Sequence, residues 1–129
     1  MNEYIEIKEF VGKVFSQINV RHDQIEFVVD DTEKYLMYHE QDCCESVTVE
    51  DINGDITDLL WVPILKASED TSNSPKSNTY GEGENAYTYE DESATWTFYN
   101  LATIKGYVTI RWYGSSNGYY SESVNIKKQ

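Results

Sequence analysis

Hydrophobic and polar positions alternate over much of the chain, and a period of two residues is typical of β-strands with one buried face. In the segment "GYVTIRWYG", this alternation places Val108, Ile110 and Trp112 on one face and Arg111 on the other. Similar β-branched or aromatic runs, separated by turn-prone residues, are "VFSQINV", "QIEFVV", "KYLMYH", "SVTVE", "VPILKAS", "ATWTFYN" and "YYSESVNI". The pattern predicts a largely antiparallel β-protein.

Two short segments depart from this alternation. Apolar residues at helical spacing in "YIEIKEFVGK", with Gly12 as a stop signal, predict a short helix over about residues 5–12. The segment "DINGDITDLLW" predicts a second short helix, capped near Asn53 or Asp55. We therefore predict a β-rich α+β fold, in which an antiparallel sheet of about six to eight strands carries two short helices.

The chain of 129 residues has the length of one domain, so residues 1–129 are predicted to form a single domain. Composition shifts to Ser, Asn, Gly, Asp and Glu around Pro75, which predicts a mobile loop at about residues 69–92. The turn signal "SSNG" predicts that "GYVTIRWYG" and "YYSESVNI" form a hairpin. Pro63 places the strand "VPILKAS" at a sheet edge or at a strand start.

The formal net charge of −13 is distributed unevenly along the chain. Residues 1–66 hold 15 acids and 5 bases, residues 67–95 hold 7 acids and 1 base, and residues 96–129 hold 1 acid and 4 bases. An acidic surface argues against a partner of long nucleic acid, because that binding requires a basic track along the phosphates. A small anion bound in a local pocket is compatible with this distribution.

The sequence also bears on where the protein acts. No apolar run approaches the roughly 20 residues of a membrane-spanning helix, and "MNEYIEIKEF" lacks the basic start of a signal peptide. We therefore expect a cytoplasmic protein with no membrane partner. Cys43 and Cys44 are adjacent and cannot close a stabilising loop, which favours reduced thiols.

The face that carries Arg111 is the strongest candidate for binding chemistry. The polar and aromatic residues of this face are Tyr107, Thr109, Arg111 and Tyr113. The strand "ATWTFYN" adds either Thr95, Thr97 and Tyr99 or else Trp96, Phe98 and Asn100. Aromatic faces stack on nucleobases and a guanidinium matches phosphate oxygens, which favours a nucleotide site. The alternative is packing alone, with Arg111 over a neighbouring ring and paired with a surface acid.

The segment "MYHEQDCCESVTVED" contains residue types that ligate zinc, namely His39, Cys43, Cys44 and Glu45. Adjacent cysteines project to different sides of an extended chain, and the sequence has no second cysteine pair, so no metal site is predicted. The acidic surroundings disfavour a nucleophilic thiolate, so no catalytic residue is predicted here either. We expect one or both thiols to be buried as small apolar groups.

The segments "MYHEQDCCESVTVEDI", "ATWTFYNLATIKGYVTIRWYG" and "SNGYYSESV" resemble a family of small proteins of phage and prophage genomes, many of them domains of unknown function. Within that group the chain resembles the Thoeris anti-defence proteins, which sequester the cyclic ADP-ribose signals of bacterial TIR-domain immunity. The resemblance covers nearly the whole chain outside residues 69–92. It implies a cytoplasmic phage protein that binds a small cyclic nucleotide without degrading it, needs no cofactor, and assembles as a dimer or hexamer.

The resemblance also implies roles for individual residues. Arg111 would contact phosphate, Phe98 or Trp96 would stack on the base, and Asn100 would bond the base edge. Arg21 would be a second phosphate ligand, and Tyr99 completes the set of candidate ligand-binding residues.

Two other functions are compatible with the sequence. The acidic surface suits an inhibitor that imitates nucleic acid and occupies the binding channel of a host nuclease, such as a CRISPR effector. In that case acidic clusters such as Asp30, Asp31 and Glu33 would bind the partner, and Arg111 would be a packing residue. A nucleotide hydrolase or lyase is the least favoured class, because no base and nucleophile pair is evident in the sequence.

Overall fold

A computed structural model describes residues 3–80 and 87–129 of the chain, without the side chains of residues 77–80 and 87–89. These residues form eleven β-strands and two single turns of 3₁₀-helix. The strands are β1 (Glu3–Tyr4), β2 (Gln17–Val20), β3 (Gln24–Val28), β4 (Lys34–Tyr38), β5 (Ser46–Asn53), β6 (Lys66–Ser72), β7 (Ser77–Tyr80), β8 (Tyr87–Glu90), β9 (Ser93–Thr103), β10 (Gly106–Ser116) and β11 (Asn125–Lys128).

The strands form two antiparallel sheets and one separate hairpin. The first sheet has the strand order β1-β11-β4-β3-β2, and the second has the order β5-β10-β9-β6. Strands β7 and β8 pair only with each other in the described part of the chain. The predicted β-rich antiparallel fold is confirmed, but its strands divide between two sheets instead of forming one. A two-layer arrangement allows each sheet to cover the apolar face of the other.

The inner faces of both sheets share one hydrophobic core. Trp112 of β10 is fully buried, and its Nε1 donates a hydrogen bond to Sδ of Met37 on β4 at 3.3 Å, which links the two sheets. Val108 and Ile110 of β10 are also fully buried, as the alternation predicts. The cluster is extended by four packed rings from the first sheet and the loops: Phe10, Phe15, Phe27 and Tyr35.

Both predicted helices are single 3₁₀ turns. The first spans Ile7–Phe10 and is followed by Gly12, whose φ of +90° suits glycine. A 3₁₀ turn repeats every three residues, so Ile7 and Phe10, the two ends of this segment, both point into the core. A longer amphipathic helix would not require both positions to be buried. Within residues 3–80 and 87–129, no helix is long and apolar enough to cross a membrane.

The second 3₁₀ turn spans Ile56–Leu59 and begins where the sequence indicates. Asp55 is its N-cap, and Oδ1 of Asp55 accepts hydrogen bonds from the backbone N of Thr57 at 3.0 Å and its Oγ1 at 2.7 Å. The sequence allowed either Asn53 or Asp55 as the cap, and the structure has Asp55.

The predicted hairpin at "SSNG" is wrong. Strand β10 pairs with β9 and β5, whereas β11 lies in the other sheet between β1 and β4. The segment between them crosses from one sheet to the other and includes Glu122, which is buried. The Glu122 carboxylate accepts hydrogen bonds from Oγ1 of Thr95 at 2.8 Å and Oγ of Ser116 at 2.5 Å, which holds the crossover against the second sheet.

The predicted loop at residues 69–92 contains strands. Strand β6 continues to Ser72 as the edge of the second sheet, and β7 and β8 form a hairpin. An edge strand needs backbone hydrogen bonds on one side only, so a polar composition does not prevent it. Strand β6 begins only at Lys66, so the strand predicted over "VPILKAS" is wrong for its first four residues and Pro63 lies in the segment before the strand. Residues 81–86 lie outside the described residues, and the mobility of the segment stays a prediction.

Replacing Trp112 with alanine is expected to lower the free energy of unfolding by about 3–5 kcal/mol, because it leaves a cavity between the sheets. Tyr107→Ala, on the exposed face of the same strand, is the control and is expected to cost less than about 0.5 kcal/mol. Urea unfolding followed by circular dichroism measures both values. Equal costs for the two variants would contradict the assignment of Trp112 to the core.

Candidate functional site

The pairing of β9 with β10 determines which residues surround Arg111. Arg111 lies opposite Phe98, Tyr113 lies opposite Trp96, and Thr109 lies opposite Asn100. Directly paired residues point to the same face of a sheet. Of the two alternatives left by the sequence, the structure therefore has Trp96, Phe98 and Asn100 beside Arg111. We call this outward-facing surface the Arg111 face.

Arg111 has two neighbours of opposite character. Its guanidinium carbon lies over the Trp96 ring, 5.2 Å from the centroid. Its Nε lies 2.8 Å from Oδ1 of Asp51 on β5, and the two side chains are about one-third and less than one-half exposed. The N–H is not directed at that oxygen, so Nε has no hydrogen-bond partner among the described residues. These are the contacts expected for packing, and Nε itself is buried from solvent.

A β-bulge in β5 allows this ion pair. Arg111 pairs with Asp51, and the next residue of β10, Trp112, pairs with Val49, so Glu50 is the additional residue. The bulge shifts the alternation by one residue, which leaves Asp51 outward beside Arg111 and Val49 packed against the core.

A shallow cleft of about 240 Å³ lies beside Arg111. The rings of Trp96 and Phe98 are nearly parallel, at an angle of 9°, with their centroids 6.2 Å apart. Ser72 and Ser74 complete the lining, and Nε1 of Trp96 donates to the backbone O of Ser74 at 2.9 Å. The cleft therefore combines a fixed aromatic wall with hydroxyl groups and a guanidinium.

Lys76 is a second cation at this surface, and the sequence did not indicate it. Its Nζ lies 5.5 Å from the Trp96 centroid and 4.6 Å from the Tyr113 centroid, and it forms an ion pair with Glu50. Burial, and then the hydrogen bond to Asp91, raise the pKa of Tyr113 to about 12. The Tyr113 hydroxyl accepts from the backbone N of Lys76 at 2.9 Å, which holds this segment over the sheet.

Asn100 uses both ends of its amide within the Arg111 face. Its Nδ2 donates to Oδ2 of Asp70 at 3.1 Å, and its Oδ1 accepts from Oγ1 of Thr109 at 2.9 Å. A contact with the edge of a base would replace one of these hydrogen bonds.

Two predicted site residues do not join the Arg111 face. Tyr99 points into the core from the opposite face of β9 and is fully buried, because it lies one residue from Phe98 in an alternating strand. Arg21 is exposed in the turn between β2 and β3, where its backbone N bonds to the O of Gln24. No contact within the described residues connects Arg21 with Arg111.

The segment around the two cysteines differs from expectation in two respects. Cys43 and Cys44 are exposed, not buried, and they are joined as a disulfide between adjacent residues, not held as reduced thiols. An exposed turn imposes no packing that would bury them. In the part of the chain that the structure describes, no three His, Cys, Asp or Glu side chains are grouped to hold a metal ion.

His39 and Glu45 form a buried hydrogen-bonded pair beside this turn. Nε2 of His39 lies 2.8 Å from Oε1 of Glu45, and Nδ1 of His39 lies 2.6 Å from the backbone O of Ser123. The Glu45 carboxylate also accepts from the backbone N of Asp42 at 2.6 Å and of Cys43 at 3.2 Å. The Asp42 bond and then His39 lower the pKa of Glu45 to about 2. Glu45 therefore has a structural role in holding the turn.

The acidic cluster in the turn between β3 and β4 also has structural contacts. Oδ1 of Asp30 accepts from Thr32 N and Oγ1 and from Glu33 N, at 2.8–2.9 Å, and the Thr32 bonds lower the pKa of Asp30. Glu33 forms an ion pair with Lys13 at 2.7 Å. Two acids of the cluster thus have contacts within the fold.

Protonation of Glu45 is expected to destabilise the protein at acid pH. Its folded pKa of about 2 lies below the usual 4.5, so its contribution is complete above pH 4.5 and is lost as the pH falls to about 2. Glu45→Gln should lower the thermal unfolding midpoint at pH 7 and reduce its fall between those pH values. Melting curves from pH 2 to pH 7 test this, with exposed Glu3→Gln as the control. A wild-type pH profile retained by Glu45→Gln would contradict the assignment.

Comparison with known proteins identifies the family of this chain. No curated protein and no solved structure matches the chain. The family model of the DUF7448 domain of unknown function matches residues 8–126. That range includes the Arg111 face, the His39–Glu45 pair and the first sheet without β1 and the last two residues of β11. The chain therefore belongs to the DUF7448 family of domains of unknown function.

Proposed function

We propose that this protein binds a small cyclic nucleotide at the Arg111 face and holds it without chemical change. The observation that carries the proposal is the position of the Arg111 guanidinium over Trp96, at the edge of a cleft that Phe98 also lines. An aromatic surface next to a guanidinium matches a ligand that has a flat base and a phosphate.

The aromatic wall defines how a base would bind. A base inserted between two rings needs roughly 7 Å, twice the 3.4 Å stacking distance. The Trp96 and Phe98 centroids are 6.2 Å apart, so the base would stack on the outer surface of this pair. Stacking contributes roughly 1–3 kcal/mol per base and tolerates different bases.

The charges of the face set a condition on the binding of an anion. Arg111 and Lys76 both lie near the Trp96 ring, so two cations are available to a pyrophosphate. Each is paired with an acid of β5, Arg111 with Asp51 and Lys76 with Glu50. A phosphate therefore competes with a carboxylate for each cation, and binding should weaken as ionic strength rises.

Sequestration is the biological role that this binding would serve. The resemblance to the Thoeris anti-defence proteins supports cyclic ADP-ribose isomers as ligands, with cyclic oligonucleotides as a related class. To compete with an effector, such a protein needs nanomolar affinity, about −12 kcal/mol. A cleft on paired strands is preorganised, which reduces the ordering cost of binding. The same resemblance supports assembly as a dimer or hexamer inside the infected host cell.

Calorimetric titration with cyclic ADP-ribose isomers tests the proposal. We expect saturable binding to the wild-type protein, with the nucleotide recovered intact after heat denaturation. Arg111→Gln should lower the affinity about 10- to 100-fold, the value of one charge-assisted hydrogen bond. Lys105→Gln, in the exposed turn of the same hairpin, is the control and should not change the affinity.

Three outcomes would contradict the proposal. Absence of binding to every isomer and to cyclic oligonucleotides would exclude the ligand class. Recovery of a cleaved nucleotide would indicate an enzyme. Salt-sensitive capture of a basic nuclease, without nucleotide binding, would favour the acidic inhibitor instead.

A further inference from the structure

A second cavity, of about 530 Å³, lies where the two sheets are open at their edges. β1 is the edge of the first sheet and β6 is an edge of the second, and both contribute to its walls. Its volume is within the range of small-molecule sites. The walls combine apolar and polar side chains, and the apolar ones are Ile5, Ile7, Ala67, Val124 and Ile126.

Tyr99 lines this cavity and carries a buried hydroxyl. The side chain is fully buried, and the hydroxyl forms no hydrogen bond of normal geometry among the described residues, although the Glu69 carboxylate lies close to it. Buried hydroxyls are nearly always hydrogen-bonded, so a hydroxyl without a well-formed bond is a place where a ligand could supply one. Burial, and then the carboxylate of Glu69, raise the pKa of Tyr99, which keeps the hydroxyl neutral.

Glu69 gives the cavity its charge. It lies directly opposite Tyr99 in the pairing of β6 with β9, so both side chains belong to the inward face. The other charged residues of the lining, Glu6 and Lys8, form an ion pair with each other at 2.9 Å. Glu69 has no ion pair among the described residues, so the cavity carries one uncompensated negative charge.

We propose that this cavity binds a small primary amine, with its apolar body between the sheet edges and its ammonium group on Glu69 and Tyr99. The Glu69 side chain is exposed, and amine binding requires it to rotate about its own bonds so that the ammonium reaches the Tyr99 hydroxyl. The ammonium donates to the carboxylate and to the phenol oxygen, which satisfies both groups. The apolar residues of the lining accommodate a ring or an alkyl chain.

This site is independent of the Arg111 face. Tyr99 and Phe98 are adjacent in β9 and point to opposite sides of the sheet. Failure of the nucleotide proposal therefore leaves the amine proposal intact, and Arg111→Gln should not change amine binding.

Three probes that share an indole ring test the charge preference: tryptamine, indole and indole-3-acetate. Calorimetric titration should show saturable binding of tryptamine, at least about tenfold weaker binding of indole, and no binding of indole-3-acetate. No saturable heat with tryptamine up to about 1 mM, or equal binding of all three probes, would overturn the proposal.

Matched variants locate the site. Glu69→Gln should weaken tryptamine binding at least about tenfold, whereas Asp70→Asn removes the same charge from the outward face of β6 and should not. Tyr99→Phe removes only the hydroxyl and should also weaken binding, while a retained thermal midpoint shows that it is folded. Unchanged tryptamine affinity in Glu69→Gln would overturn the proposal, even if the wild-type protein binds the amine.

Discussion

The register between β9 and β10 is the constraint on which both candidate sites depend. The two strands pair residue by residue from Gly106 opposite Thr103 to Ser116 opposite Ser93. Because side chains alternate between faces, a slip by one residue would exchange the core and the surface of the whole hairpin. Burial of Trp112 against Met37 makes any other register costly. The core thus determines that Arg111 faces outward and that Tyr99 faces the second cavity.

Charge compensation determines what the Arg111 face can do. Asp51 and Glu50 come from one bulged strand, and each is paired with one of the two cations near Trp96. Such pairs are partly exposed and therefore weak, so they hold the side chains in place without preventing exchange for a stronger anion. The packing that the sequence offered as an alternative to a binding site is therefore compatible with the proposed site, as its arrangement before a ligand binds.

Alternation in the sequence predicted the core face of β10 and the outward position of Arg111. It could not choose between the two faces of "ATWTFYN". An alternation of period two divides a strand into two faces, but it does not say which face lies on the same side of the sheet as Arg111. Tyr99 was a predicted ligand residue for that reason. The position of Lys76 and the second cavity depend on the pairing of β6 with β9, and the polar composition of β6 carries no strand signal.

Long-range pairing also explains the errors in topology. The "SSNG" signal is a local turn preference, but β11 gains more by joining β4 and β1, where Ile126 is buried in the shared core. The predicted helices became single 3₁₀ turns because each lies in a short connection against the core. Local signals therefore predicted which elements exist and where Asp55 caps a turn, but not the partner of each strand.

Nuclear magnetic resonance of the three tryptophan indole N–H groups tests the nucleotide site most directly. Trp96 lies in the cleft, Trp112 is buried between the sheets, and Trp61 is exposed outside the cleft lining. On addition of cyclic ADP-ribose, the account predicts a saturable shift of the Trp96 indole resonance, with the resonances of Trp61 and Trp112 unchanged. A shift confined to Trp61, or an unchanged Trp96 resonance while the nucleotide binds, would contradict the account.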